Sequence, residues 1–117
     1  MAEPQLTPAL QQQIQQLQGL SSQLQQVSAQ RSQMDAMKSE QDDAITALEA
    51  LSDDAPVYRN VGSLLVKEPG RKQALDRLKE DQETLEVRIA RLQKQESALK
   101  EQLNALQQKL QAALPKA

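Results

Sequence analysis

The sequence predicts a mainly α protein, a long antiparallel two-helix coiled coil whose helices are joined by one β-hairpin. Three observations lead there. Two long stretches space leucine and other aliphatic residues alternately three and four apart, the heptad pattern of helices that pair. Between them lies one short stretch, residues 57–67, that does not fit a helix and is rich in branched apolar side chains. The 117 residues include one Tyr and no Phe or Trp, so aliphatic side chains must carry the packing that aromatics usually dominate. One structural unit is expected over residues 1–117, with helices over 8–52 and 69–114 and the hairpin over 57–67.

The first helix starts at Thr7-Pro8, which read as N-cap and first helical residue. Leu10, Leu17 and Leu24 then recur every seventh residue, interleaved with Leu20, Val27 and Met34 in a series that starts at Gln13. Ile45 and Leu48 continue both series after a polar interval holding Arg31, Lys38 and Gln41, and Leu51 closes the run. This is about six heptads, or roughly 65 Å of helix. Gly19 weakens it. Met34 and Met37 are expected to fill the core. The stretch Ser52-Asp53-Asp54-Ala55-Pro56 breaks the helix.

In the centre, Val57, Tyr58 and Val61 precede Gly62-Ser63, and Leu64, Leu65 and Val66 follow. Gly followed by a small polar residue suits a two-residue II′ turn. Two short strands are marginal alone in water, and their open edges invite another chain. The hairpin is therefore expected to be an assembly device, joining copies from several subunits into a sheet or barrel. A β-flavoured chain reversal is the alternative, though a plain reversal would not need two apolar runs.

The second helix is expected to open at Glu68-Pro69-Gly70, with Pro69 in its first turn. Leu75, Leu78, Gln82, Leu85, Ile89, Leu92, Glu96, Leu99, Leu103, Leu106, Leu110 and Ala113 keep the 3-4 alternation, and Pro115 ends it. With Gly62 as pivot, Gln41 falls near Gln82, and Arg31 within about one layer of Glu96. These polar positions are expected to fix the register, unless each reaches out to solvent.

The two chain ends then meet about 65 Å from the hairpin. From residue 4 through residue 30 there is no charged side chain. The 21 glutamines mostly occupy places between regularly spaced leucines, which argues for a polar, uncharged helix surface rather than a low-complexity segment. Leu6, Leu10, Ile14, Leu17, Leu106, Leu110 and Leu114 form this far tip, and it is expected to offer some apolar surface to a client as well as packing on itself.

Several classes are excluded. There is no Cys or His, which removes thiol chemistry, Cys/His metal sites and His general-base catalysis. The three glycines, at 19, 62 and 70, form no phosphate-binding loop. Net charge is −2 and no basic cluster is interleaved with aromatics, so nucleic-acid binding is unsupported. Neither a signal-like start nor an apolar run of membrane-spanning length is present, and a soluble intracellular protein is expected. The expectation is a non-enzyme without cofactors: either a binding module for unfolded proteins or a coiled-coil spacer that tethers specific partners.

The run Pro-Val-Tyr-Arg-Asn-Val-Gly-Ser-Leu-Leu-Val at 56–66, flanked by two long helices, with Leu-Glu-Val-Arg-Ile-Ala-Arg-Leu-Gln-Lys-Gln-Glu at 85–96, resembles a prefoldin β-type subunit, most like an archaeal one. The likeness covers nearly the whole chain, and one connecting hairpin rather than two favours the β type. The resemblance implies an ATP-independent cytoplasmic chaperone, a hexamer of two α-type and four β-type subunits whose hairpins form a double β-barrel. It also implies that the coiled-coil tips hold unfolded proteins and deliver them to a group II chaperonin, with no nucleic acid or membrane involved. Carried over residue by residue, Val57, Tyr58, Val61, Gly62, Leu64, Leu65 and Val66 map to the barrel. The seven tip residues map to client contact by position alone.

Overall fold

The structure is a computed structural model and describes residues 7–113. In chain order the elements are α1 (Pro8–Glu49), β1 (Tyr58–Val61), β2 (Leu64–Lys67) and α2 (Arg71–Ala113). The expected plan of helix, hairpin, helix is the observed one. Leu6, Leu114 and Pro115 lie outside the described residues.

Along both helices the sheltered positions alternate three and four apart. On α1 they include Leu10, Leu17, Leu24, Arg31, Lys38 and Ile45, with Leu20, Val27, Met34, Gln41 and Leu48 between them. The polar residues of the middle interval thus stay in phase with the leucines. Met34 is half-buried in this series, whereas Met37 lies beside it and is exposed, so core filling describes only the first of the two.

Residues 32–90 form one compact unit. Lys38 pairs with Glu86 at 3.6 Å, Asp42 accepts from Gln82 Nε2 at 2.5 Å, and Glu49 pairs with Lys79 at 3.7 Å. Partner numbers rise on α1 as they fall on α2, so the helices run antiparallel. The core of this unit is Leu48, Ala74 and Leu75, with Ile45, Val57 and Leu78 packed against it. Gln82 bonds one residue beyond Gln41, close to the pairing expected from the Gly62 pivot.

The remaining residues of the two helices form the second unit. Here Ser28 and Arg31 of α1 reach Glu96 of α2, and Leu110 is buried.

Helix ends depart from expectation for local reasons. α1 stops at Glu49 rather than at 52. Leu51 N–H folds back onto the Leu48 C=O at 3.2 Å, and Arg71 Nη1 donates to the same carbonyl at 3.3 Å while its Nη2 meets Asp53 at 2.5 Å. The carbonyl that would continue the helix is thus capped, and Leu51 is left outside and exposed. α2 begins at Arg71, not at 69. The Glu68 N–H donates to Val57 C=O at 2.8 Å, so the chain is still extended there, and Gly70 C=O accepts the first helical bond, from Ala74, at 3.1 Å. Gly70 is therefore the N-cap and Pro69 precedes it. The other start is as expected, with Thr7 Oγ1 accepting from Leu10 N–H at 3.1 Å.

Gly19 lies on an exposed face of α1, and a Cβ there would meet nothing within 4 Å. Gly19→Ala is expected to stabilise the helix by about 1 kcal/mol, seen as a melting temperature a few degrees higher by circular dichroism.

Candidate functional site

The hairpin pairs Tyr58 with Lys67, Arg59 with Val66, Asn60 with Leu65 and Val61 with Leu64. Between the strands Gly62 has φ of 61°, and no other described residue has a positive φ. A positive angle at the first turn position alone is the II′ signature, and type I′ would require one at Ser63 too. The short polar turn therefore sets the register and hence the faces.

Cross-strand partners share a face, and alternate residues point to opposite faces. One face carries Tyr58, Asn60, Leu65 and Lys67. The other carries Arg59, Val61, Leu64 and Val66. Each face holds large apolar groups in the open: Leu65 is 70% exposed and Tyr58 56% on the first, and Leu64 is 65% exposed on the second, beside exposed Val61 and Val66. Val57 differs from its expected companions. It is half-buried against Leu48, Ala74 and Leu75 and seats the hairpin on its own helices.

The tip residues behave in another way. Leu10, Ile14, Leu17 and Leu106 are half-buried, and Leu110 is 5% exposed. Among the described residues no large apolar side chain of this unit is openly exposed. What the unit does present is three shallow grooves beside the helix pair. One is formed by Val27, Ala98 and Leu99 between Gln23, Gln26 and Gln95. A second places Leu17 and Leu103 among Gln18, Gln25 and Gln107, with two serines. A third sets Leu20 beside Gln16, Gln23 and Gln102. None is lined by a charged side chain. Only the second groove includes one of the terminal leucines singled out from sequence, Leu17, and the signal for the grooves was the charge-free run of residues 4–30.

Glu96 is the one buried charged residue among those described, at 6% exposure. Its Oε2 accepts from Arg31 Nε at 2.7 Å and from Ser28 Oγ at 3.2 Å, and Lys100 stands 3.8 Å from Oε1. The hydrogen bond from Arg31 holds its carboxyl below the ordinary carboxylate range, against the opposing effect of burial, with help from Ser28 and the charges of Arg31 and Lys100. The direct contact makes the expected layer real, and the serine was not foreseen.

No group of three or more acidic, His or Cys side chains among the described residues could hold a metal ion. No described helix is long and apolar enough to cross a membrane.

The sequence model of the family described as "Prefoldin subunit" matches residues 11–117. The chain belongs to the prefoldin family. It is 42% identical over 114 residues to prefoldin subunit beta of Methanosarcina acetivorans, covering 97% of this chain and 97% of that protein. It is 52% identical over 71 residues to prefoldin subunit beta of Pyrococcus abyssi, a match that spans 61% of this chain and only 60% of the relative's length. The crystal structure of the prefoldin beta subunit from Thermococcus strain KS-1 superposes with a TM-score of 0.88 at 37% identity, covering 98% of this chain and 100% of the other. The open hairpin and the paired helices are thus features of a prefoldin β-type fold.

Proposed function

We propose that this chain is a subunit of an ATP-independent holdase chaperone that works in the cytoplasm, grips unfolded proteins along the distal part of its coiled coil and passes them to a group II chaperonin. Membership of the prefoldin family supports the class of activity. The observation that carries the mode of action is the set of uncharged grooves, in which aliphatic floors are walled by glutamine amides. Apolar floors take apolar segments of any shape, and amides both donate and accept hydrogen bonds without repelling either sign of charge. Each groove is too shallow to bind strongly, but several arms acting on one client raise the effective concentration. The terminal residues Leu6, Leu10, Ile14, Leu17, Leu106, Leu110 and Leu114 remain part of the proposed grip.

Several arms require assembly. Tyr58, Val61, Leu64, Leu65 and Val66 are the proposed interface with α-type subunits and further copies of this chain, two α and four β per hexamer. Gly62 shapes the turn and Val57 anchors it. Burying the open apolar surface on both faces of the hairpin is the driving force.

The test is light scattering from a chemically unfolded protein diluted into buffer, with this chain alone and with an α-type partner. A version lacking residues 1–17 and 107–117 is run beside it. Suppressed aggregation that weakens on trimming is expected. Suppression that survives trimming intact would move the grip away from the tips, and no suppression in any combination would favour a coiled-coil spacer.

A further inference from the structure

A cluster of ions at the base of the hairpin has no part in the grip or in the apolar interface. Glu68 follows β2 directly, and its backbone N–H bonds to Val57 C=O, which fixes where its side chain leaves the ladder. Its Oε1 receives Arg59 Nε from β1 at 3.4 Å and also Arg77 Nη2 from the second turn of α2. The Glu68 side chain is 9% exposed, and Arg77 is flanked by Asp81 at 4.0 Å. One sheltered carboxylate therefore ties the middle of a strand to a helix.

Without that tie the hairpin would be poorly held. Its two strands of four residues join α2 through Glu68-Pro69-Gly70, and its other anchor, Val57, sits at the pivot with little leverage. Arg59 lies two residues further up the strand, so gripping it restrains both swing and twist. A surface held in its bound orientation loses less freedom on association.

We infer that Glu68 is a positioning residue for assembly: it sets the angle of the hairpin on α2 before a partner arrives. The inference rests on the hairpin being the assembly interface. The chain has no cysteine, so spin labels at Ser63→Cys in the turn and Glu80→Cys on the exposed side of α2 report that angle cleanly. In the dilute full-length chain without partner, a single narrow label distance is expected, broadening at least twofold in Glu68→Gln and in Arg59→Gln. The concentration for half-assembly with an α-type partner should rise roughly tenfold, about 1.4 kcal/mol, while helix content and helix melting stay unchanged. Equal distance widths would overturn the inference. So would a broadened distance with unchanged assembly, or a loss of assembly that merely follows loss of helix. A chain with Glu68 intact that never assembles would overturn the assembly reading instead, and the label widths would still decide whether Glu68 sets the angle.

Discussion

Replacing Leu64 and Leu65 together by aspartate is expected to leave a chain that is fully helical yet stays a monomer. The two residues are neighbours on β2 and point to opposite faces, and they are the two most exposed large apolar groups described. Neither packs on the helix core, which is built from Leu48, Ala74 and Leu75. Their substitution therefore removes little from the isolated fold. In an assembly that covers both faces, each leucine contributes about 1.5–3 kcal/mol of burial. An aspartate in its place must instead be desolvated without a partner, which costs more than the lost burial. Together the pair should weaken association by more than about a hundredfold. Sedimentation velocity with an α-type partner reads the assembly, and far-ultraviolet circular dichroism reads the helices. Changing one leucine alone separates the faces: if only one of the two single variants blocks assembly, only that face is covered. Full assembly of the double variant would mean that the hairpin is a chain reversal and nothing more.

The main plan was legible because it rests on periodicity and on one turn. Leucines at 3-4 spacing mark both helices over most of their length, and Gly62-Ser63 specifies both the turn type and the pivot about which the arms align. From that pivot alone Arg31 falls within about one layer of Glu96, and the two are found in direct contact. What was not legible depends on side chains that reach across the chain. Arg71 caps the Leu48 carbonyl from 23 residues away, so the end of α1 is set by the start of α2. The Glu68–Val57 bond keeps the chain extended past β2 and delays α2 by two residues, although Pro69-Gly70 looked like a helix start. Glu68 itself reads only as part of the opening of α2, because nothing local reveals that two arginines, 9 residues to either side, converge on it. The tip was legible as uncharged, but a list of leucines could not say which of them the partner helix would cover. Leu110 is covered and the glutamine-walled grooves remain.

Arg31→Leu should destabilise the coiled coil far more than loss of a surface ion pair would. Exposed pairs are worth little, but Glu96 is enclosed, and removing its main partner leaves its buried carboxylate with only Ser28 and the more distant Lys100. A fall in melting temperature of roughly 5–10 °C is expected. The double variant Arg31→Leu/Glu96→Leu should recover to the starting value or exceed it, since two leucines continue the heptad without a charge to bury. The layer is then a device of register rather than of strength: a slip of one heptad would set Arg31 against Ile89 and Glu96 against Leu24, both apolar. Acid gives an independent check. The carboxyl of Glu96 is held below its ordinary value of 4.5, so the folded state binds its proton less readily than the unfolded state does. Its contribution is therefore complete above the unfolded value and is lost as pH falls through the lower, folded value. Melting temperatures of the unaltered chain and the double variant, compared across that range, should diverge as the solution is acidified, with the unaltered chain falling faster. Parallel pH profiles would show that Glu96 is solvated after all, and Arg31→Leu would then shift melting by no more than a degree or two.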